Sequence, residues 1–195
     1  MSKHHAFVLV GPSIPADDEL IDELARRSEV LDEAALSLPK VTQADLFRSG
    51  VELLRRHKAD GLRRSDVEGS WARVCRKAEK RKGDVLFGNA AYVAAEPAQI
   101  SLLLDGLAGF RTHVVITAPR GTEGIDELIE PWTQAVKASR LHVLTLEEGD
   151  DLDTLLARIV ELARDTRTAD LERRIVKLKQ KRGELKDKLQ QIRAS

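Results

Sequence analysis

The stretch Val10-Gly11-Pro12-Ser13-Ile14-Pro15-Ala16-Asp17-Asp18-Glu19-Leu20 follows a short apolar run, Ala6 to Val10. Many α/β proteins cradle a phosphate at that position. Such a loop needs glycines for close backbone approach, a lysine as counter-charge and a serine or threonine beside it. This one supplies Gly11 but no lysine and no hydroxyl at its helix end, and Pro12 and Pro15 each remove a backbone donor. Gly11 and Ser13 are the contacts it still offers to an anion. Arg120, in a loop after a later strand, reads on its own as a solvated surface charge.

Other residue types with chemical potential are scattered. His4 and His5 are adjacent, His57 lies in a basic helix, and His113 and His142 begin strands. On neighbouring strands His113 and His142 could form a metal or acid–base pair. No acid at ligand spacing accompanies them, so strand-edge hydrogen bonding is the expectation. Ser13 and Ser70 lack a nucleophile-elbow context. Cys75 falls at helical spacing between Trp71 and Ala78 and reads as packing, although Arg73, Arg76 and Lys77 are the neighbours that would activate a thiolate. Glu147-Glu148-Gly149-Asp150-Asp151 reads as a turn with a helix N-cap rather than a cation site.

The elements that must position these groups alternate. Ala6–Val10, Asp84–Phe87, His113–Ala118 and Leu141–Leu146 are short apolar runs of the kind buried parallel strands show. Between them lie helical spacings: Leu20, Ile21 and Leu24; Gln43 to His57; Asp66 to a stop at Gly83; Gln99 to Leu107; Ile125 to Ala138; and Leu152 to Ala163. Strands alternating with amphipathic helices predict a three-layer α/β fold of the P-loop type, a parallel sheet with helices on both faces, over residues 4–165.

Residues 168–195 differ in kind. Leu171, Ile175, Leu178, Leu185, Leu189 and Ile192 recur at three and four, with Arg182 where one apolar residue should fall and Gly183 beside it. This is a coiled-coil heptad seam. It is out of phase with the helix before it, which predicts a kink or short break near Asp165 to Thr168. A lone helix of this length is marginal in water. The seam should therefore pair with a second copy, fold back on its own domain or dock on a protein partner.

Composition limits the rest. The 195 residues suffice for one full domain with an appendage, and 42% hydrophobic with 33% charged residues fits a folded globule. No apolar run approaches the roughly 18 residues of a membrane span, and Met1 to Val10 lacks a signal peptide's long apolar core, so the expected location is the cytoplasm. One cysteine excludes an internal disulfide framework. Bases and acids balance at 32 each, yet they are segregated. Residues 17–34 carry eight acids and two bases, residues 55–82 eleven bases and four acids, and residues 168–195 nine bases and four acids. The expectation is solvated helix faces, with a basic surface for nucleic acid as the alternative. At 4% aromatic residues no stacking platform for single strands is evident.

Several motifs occur in one shared order. They are Gly11 through Leu20, Leu38-Pro39, Ala44 with Arg48, Gly69-x-Trp71, Asp84 to Asn89, Gln99-Ile100, His113-Val114-Val115-Ile116-Thr117-Ala118, and Trp132 with Val136-Lys137. Over roughly residues 5–140 the chain resembles the sulfotransferase-like P-loop proteins of actinobacteria. Their loop, Gly-Thr-Pro-Lys-Ser/Thr-Gly-Thr-Thr-x-x-Leu, holds the 5′ side of 3′-phosphoadenosine 5′-phosphosulfate (PAPS). The resemblance implies a sulfotransferase fold and, near Arg120, a contact to the nucleotide's 3′-phosphate. On that register Ile14 stands for the loop lysine, Ala16 for a glycine and Asp17-Asp18 for the threonine pair. A lost charge-assisted bond forfeits about 1.5–3 kcal/mol. A carboxylate about 4 Å from a phosphate adds about 1–4 kcal/mol of repulsion.

Three functions follow as expectations. The first is a non-catalytic sulfotransferase-like protein with no cofactor, acting as an interaction or assembly module through residues 168–195. The second is a PAPS-dependent transferase with a diverged donor site that includes Arg120. The third is an accessory protein on nucleic acid.

Overall fold

The computed structural model describes residues 3–194; Met1, Ser2 and Ser195, at the ends of the expected N-terminal run and C-terminal tail, lie outside them. The apolar runs form strands β1 (His5–Val10), β3 (Asp84–Gly88), β4 (Arg111–Pro119) and β5 (Leu141–Leu146), joined by a two-residue strand β2 (Leu36–Ser37). All neighbours are parallel and the order is β2-β3-β1-β4-β5, with β1 at the centre. The α/β class expected from the alternation is the class observed.

Helices α1 (Leu20–Arg26), α2 (Ser28–Glu33), α3 (Gln43–Leu53), α4 (Arg64–Val67), α5 (Ser70–Glu79), α6 (Pro97–Gly106) and α7 (Ile125–Ala135) fill the connections. On one face of the sheet Ala6, Val8, Val10, Phe87, Val114 and Ile116 join Leu46, Trp71, Val74, Ile100, Leu103 and Trp132 in a single core. The alternate residues Phe7, Leu9, Leu86 and Val115 point the other way and are also fully buried. Burial on both faces explains why β1, β3 and β4 read as continuous apolar runs, whereas the edge strand β5 is only partly covered. Each large apolar side chain so buried stabilises the fold by about 1.5–3 kcal/mol.

Local signals set the helix ends. Thr42 Oγ1 accepts from Asp45 N–H at 3.1 Å, and Asp45 Oδ2 accepts from Thr42 N–H at 3.1 Å, closing a capping box on α3. The same Asp45 carboxylate takes the Lys77 ammonium at 2.8 Å, which together with the cap bonds holds its pKa below the usual carboxylate value. The expected long helix after Asp66 is divided, because Gly69 adopts φ 77° between α4 and α5. Glu52 caps the restart, accepting from the N–H groups of Gly69 and Trp71, both at 2.7 Å.

The chain divides into two compact units, one ending at Leu155 and the other beginning at Leu156. A single helix, α8 (Leu152–Ala194), starts in the first and makes up the second. Of the kink or short break expected near Asp165 to Thr168, the break is absent: α8 is continuous there. Neither glycine nor proline occurs in that stretch, so nothing interrupts the hydrogen-bond ladder, and the apolar stripe changes phase on an unbroken helix.

Where β1 ends, its backbone runs close against β4. A Cβ on Gly11 would lie 2.0 Å from the Thr117 carbonyl oxygen, and the Thr117 hydroxyl donates to the Ser13 carbonyl. Gly11→Ala is expected to lower unfolding free energy by about 1–3 kcal/mol, as other overpacked sites do. Urea denaturation of the variant measures this, and an unchanged midpoint would contradict the contact.

Candidate functional site

The carboxyl ends of β1, β4 and β5 meet where parallel α/β sheets commonly bind ligands. An open cleft of about 620 Å³ lies there, lined by Ser13, Pro15, Arg120, Glu147, Glu148 and Asp150. Among these are one cation and three acids. Arg120 is exposed, but its guanidinium is engaged: Nε donates to Glu147 Oε1 at 2.7 Å and a terminal nitrogen pairs with the same oxygen. Glu147 N–H donates to Asp150 Oδ2 at 2.8 Å, and Asp151 Oδ1 accepts from Thr154 N–H at 2.9 Å, which caps α8. The acidic run is thus the turn and N-cap its sequence suggests.

The loop beside the cleft is closed on itself. Ala16 takes a left-handed conformation, φ 58°, and a 3₁₀ turn over Asp17–Glu19 precedes α1. The Asp17 N–H donates to the Ile14 carbonyl at 3.1 Å and the Glu19 N–H to the Ala16 carbonyl at 2.8 Å. Two of the loop's amides are therefore spent within the loop. Asp17 Oδ1 accepts from Ala90 N–H at 3.1 Å, and its own carbonyl accepts from Gln43 Nε2 at 2.7 Å. Burial raises the Asp17 carboxyl's pKa, opposed by the Ala90 bond, with the Asp18 charge adding to the rise. Gly11, Ser13 and Arg120 are brought to one end of the sheet, but in a setting where carboxylates outnumber the one cation.

A second constellation lies toward the amino ends of the strands. His5 Nδ1 is 3.0 Å from His113 Nε2, and His113 Nδ1 is 3.1 Å from His142 Nε2. The register pairs Phe7 with His113 and Val115 with His142, so the three rings cross β1, β4 and β5 on one face. Phe7 stacks on His113 with centroids 5.1 Å apart, and His142 stacks at 5.3 Å. His5 N–H is anchored on the buried Asp84 carboxylate at 2.8 Å. Each inter-ring bond needs one N–H and one lone pair, so with His113 neutral the donors run in one direction along the row.

Burial lowers the His113 pKa to about 3, with His5, His142, Arg140 and Arg111 adding to the shift; burial also lowers that of His142. The expected strand-edge bonding of His113 and His142 is thus a side-chain row that includes His5. Among the described residues no group of three His, Cys, Asp or Glu side chains is placed to hold a metal. Cys75 is 5% exposed, and burial pushes its thiol up to about 12, the opposite of an activated thiolate.

Many bases of residues 55–82 have local partners. Arg56 pairs with Asp60, Arg63 with Asp66, Arg64 with Glu68, and both Arg73 and Lys77 with Asp45. Along α8 the heptad residues are open: Leu171 56%, Ile175 50%, Leu178 65%, Leu185 52%, Leu189 55% and Ile192 73% exposed, with Arg182 among them also exposed. No helix among the described residues is long and apolar enough to cross a membrane.

No protein-family model matches the chain, and no curated protein matches it. Among solved structures a de novo designed PLOOP2X3_50 fold protein, determined by solution NMR, is similar over 84% of this chain and 92% of its own, with 12% identity and a TM-score of 0.39.

The histidine row makes stability depend on pH. An unfolded histidine takes up its proton near pH 6.5, whereas folded His113 does so only near 3. Over that interval the unfolded state binds more protons, so stability falls as pH falls, by up to about 1.4 kcal/mol per pH unit for each such group. Denaturant titrations from pH 7 to pH 4 should show this slope in the parent chain and a shallower one in His113→Gln. Equal slopes would exclude His113 as the source.

Proposed function

We propose that this chain is a non-catalytic interaction module: a sulfotransferase-like α/β scaffold without a donor-nucleotide site, making its contacts through residues 168–195 as a coiled-coil element. The observation that carries this reading is the exposure of six heptad side chains, from 50% to 73%, along one continuous helix. Singly exposed apolar residues are ordinary, but a seam at strict heptad spacing is the pattern that pairs with a second helix. The second support is the state of the sheet-end cleft. Its arginine is tied to Glu147, the Asp17 and Glu19 amides bond inward, and its carboxylates outnumber its cation. An anionic donor would meet repulsion there and find the arginine already paired.

Calorimetric titration with 3′-phosphoadenosine 5′-phosphate, against sulfate as the anion control, should give no saturable heat up to millimolar ligand. Micromolar binding that weakens in Arg120→Ala would return the chain to the transferases. For the contact element, fluorescently labelled full-length chain should sediment faster in an extract of its source cells than in buffer. The Leu178→Asp/Leu185→Asp double variant should not. An unshifted parent, or an equal shift in the variant, would remove the helix from that role.

A further inference from the structure

We infer that the partner of the α8 seam is an acidic heptad helix of another protein rather than a second copy of this chain; this rests on taking the seam as the contact element. The argument lies in what flanks the apolar row. With Ile175, Arg182 and Leu189 at one core position of the heptad and Leu171, Leu178, Leu185 and Ile192 at the other, the edge positions hold Arg174, Lys179, Lys181, Lys186 and Lys188. All five are exposed. Glu172 is the one acid at an edge position between 171 and 190, while Glu184 and Asp187 fall on the side away from the seam.

Edge residues choose partner and orientation in paired helices. In a parallel pair of this helix Arg174 of one copy would face Lys179 of the other, Lys181 would face Lys186, and Arg182 would meet Arg182. In an antiparallel pair centred on the seam, Lys181 would face Lys181 and Arg174 would face Lys188. Either arrangement sets cation against cation along most of the interface. A helix with glutamates at its edge positions converts each of those contacts into an attraction, and a carboxylate at the layer of Arg182 gives the arginine a partner. The seam also departs from a membrane-surface helix. Its apolar stripe is two positions in seven, interrupted by an arginine, and residues 168–195 contain no aromatic side chain.

The test titrates the full-length chain with a synthetic helix carrying leucine at both core positions, glutamate at both edge positions and one aspartate at the layer of Arg182. A scrambled peptide of the same composition is the control. Saturable one-to-one binding is expected, about tenfold or more tighter than the scrambled control, weakening as salt is raised and lost in Leu178→Ser/Leu185→Ser. In Lys181→Glu/Lys186→Glu the preference should move toward a peptide with lysine edges. Equal affinity for the scrambled peptide would overturn the proposal.

Sedimentation of the chain alone separates the two levels of the reading. A concentration-dependent doubling of mass that Leu185→Ser abolishes would make the occupant a second copy; it overturns the acidic partner but keeps the helix as contact element. Binding to vesicles of phosphatidylserine and phosphatidylcholine, without binding to the acidic peptide, would overturn both. So would a monomer that binds neither probe.

Discussion

The central position of β1 is the constraint on which the other features depend. Every residue from His5 to Val10 is buried, so its backbone groups must be paired on both sides, with β3 on one and β4 on the other. That pairing brings β1 and β4 together at Gly11 and Thr117, too close for any side chain on Gly11, and fixes where the following loop can go. It also aligns Phe7 with His113, which puts the histidine row on one face and stacks His113 between Phe7 and His142. One strand thus determines both the closed loop at one end of the sheet and the desolvated imidazoles toward the other.

What occupies the ligand-binding end of the sheet is a set of internal ties. In a phosphate-binding domain, loop amides and an unpaired cation stay open until the ligand arrives, an arrangement that costs the empty protein stability. Here the same positions serve the fold. Asp17 holds the N–H of Ala90, its carbonyl holds Gln43, and Arg120 is held by Glu147 while its backbone N–H donates to the Leu146 carbonyl at 2.8 Å. A charged or polar group that gains an internal partner gives up readiness for an external one. This exchange bears directly on the electrostatics of the cleft.

Much of this arrangement was legible in the sequence, and the limits have physical causes. Strands β1, β3 and β4 were readable because strands buried on both faces are apolar throughout. The edge strand β5 was readable from its apolar run although Val143 in it is exposed, and the N-cap at Asp151 was readable because capping depends on local chemistry. Strand β2 was not, since two residues carry no period. The division at Gly69 was missed because a glycine inside a helical spacing is tolerated as often as it turns. Register is the deeper limit. Whether His5 joins His113 and His142 depends on which strands are neighbours and by how many residues they are offset, and no local pattern encodes either. The Asp17–Ala90 and Arg120–Glu147 ties span 73 and 27 residues and are invisible for the same reason.

The unbroken α8 shows how propensity and pattern answer different questions. The change of apolar phase near residue 165 reports which side of the helix is apolar, not whether the backbone bends. Backbone continuity is decided by the i to i−4 ladder, and only a proline, a glycine or an inserted group would interrupt it there. The later Gly183 remains helical, although glycine at such a site costs about 1 kcal/mol relative to alanine. Together with Arg182 it leaves the middle of the seam its weakest layer. A helix with an apolar row, cationic edges and a soft centre stands to gain most of its stability from whatever covers that row, because burial and edge pairing supply what its own sequence withholds.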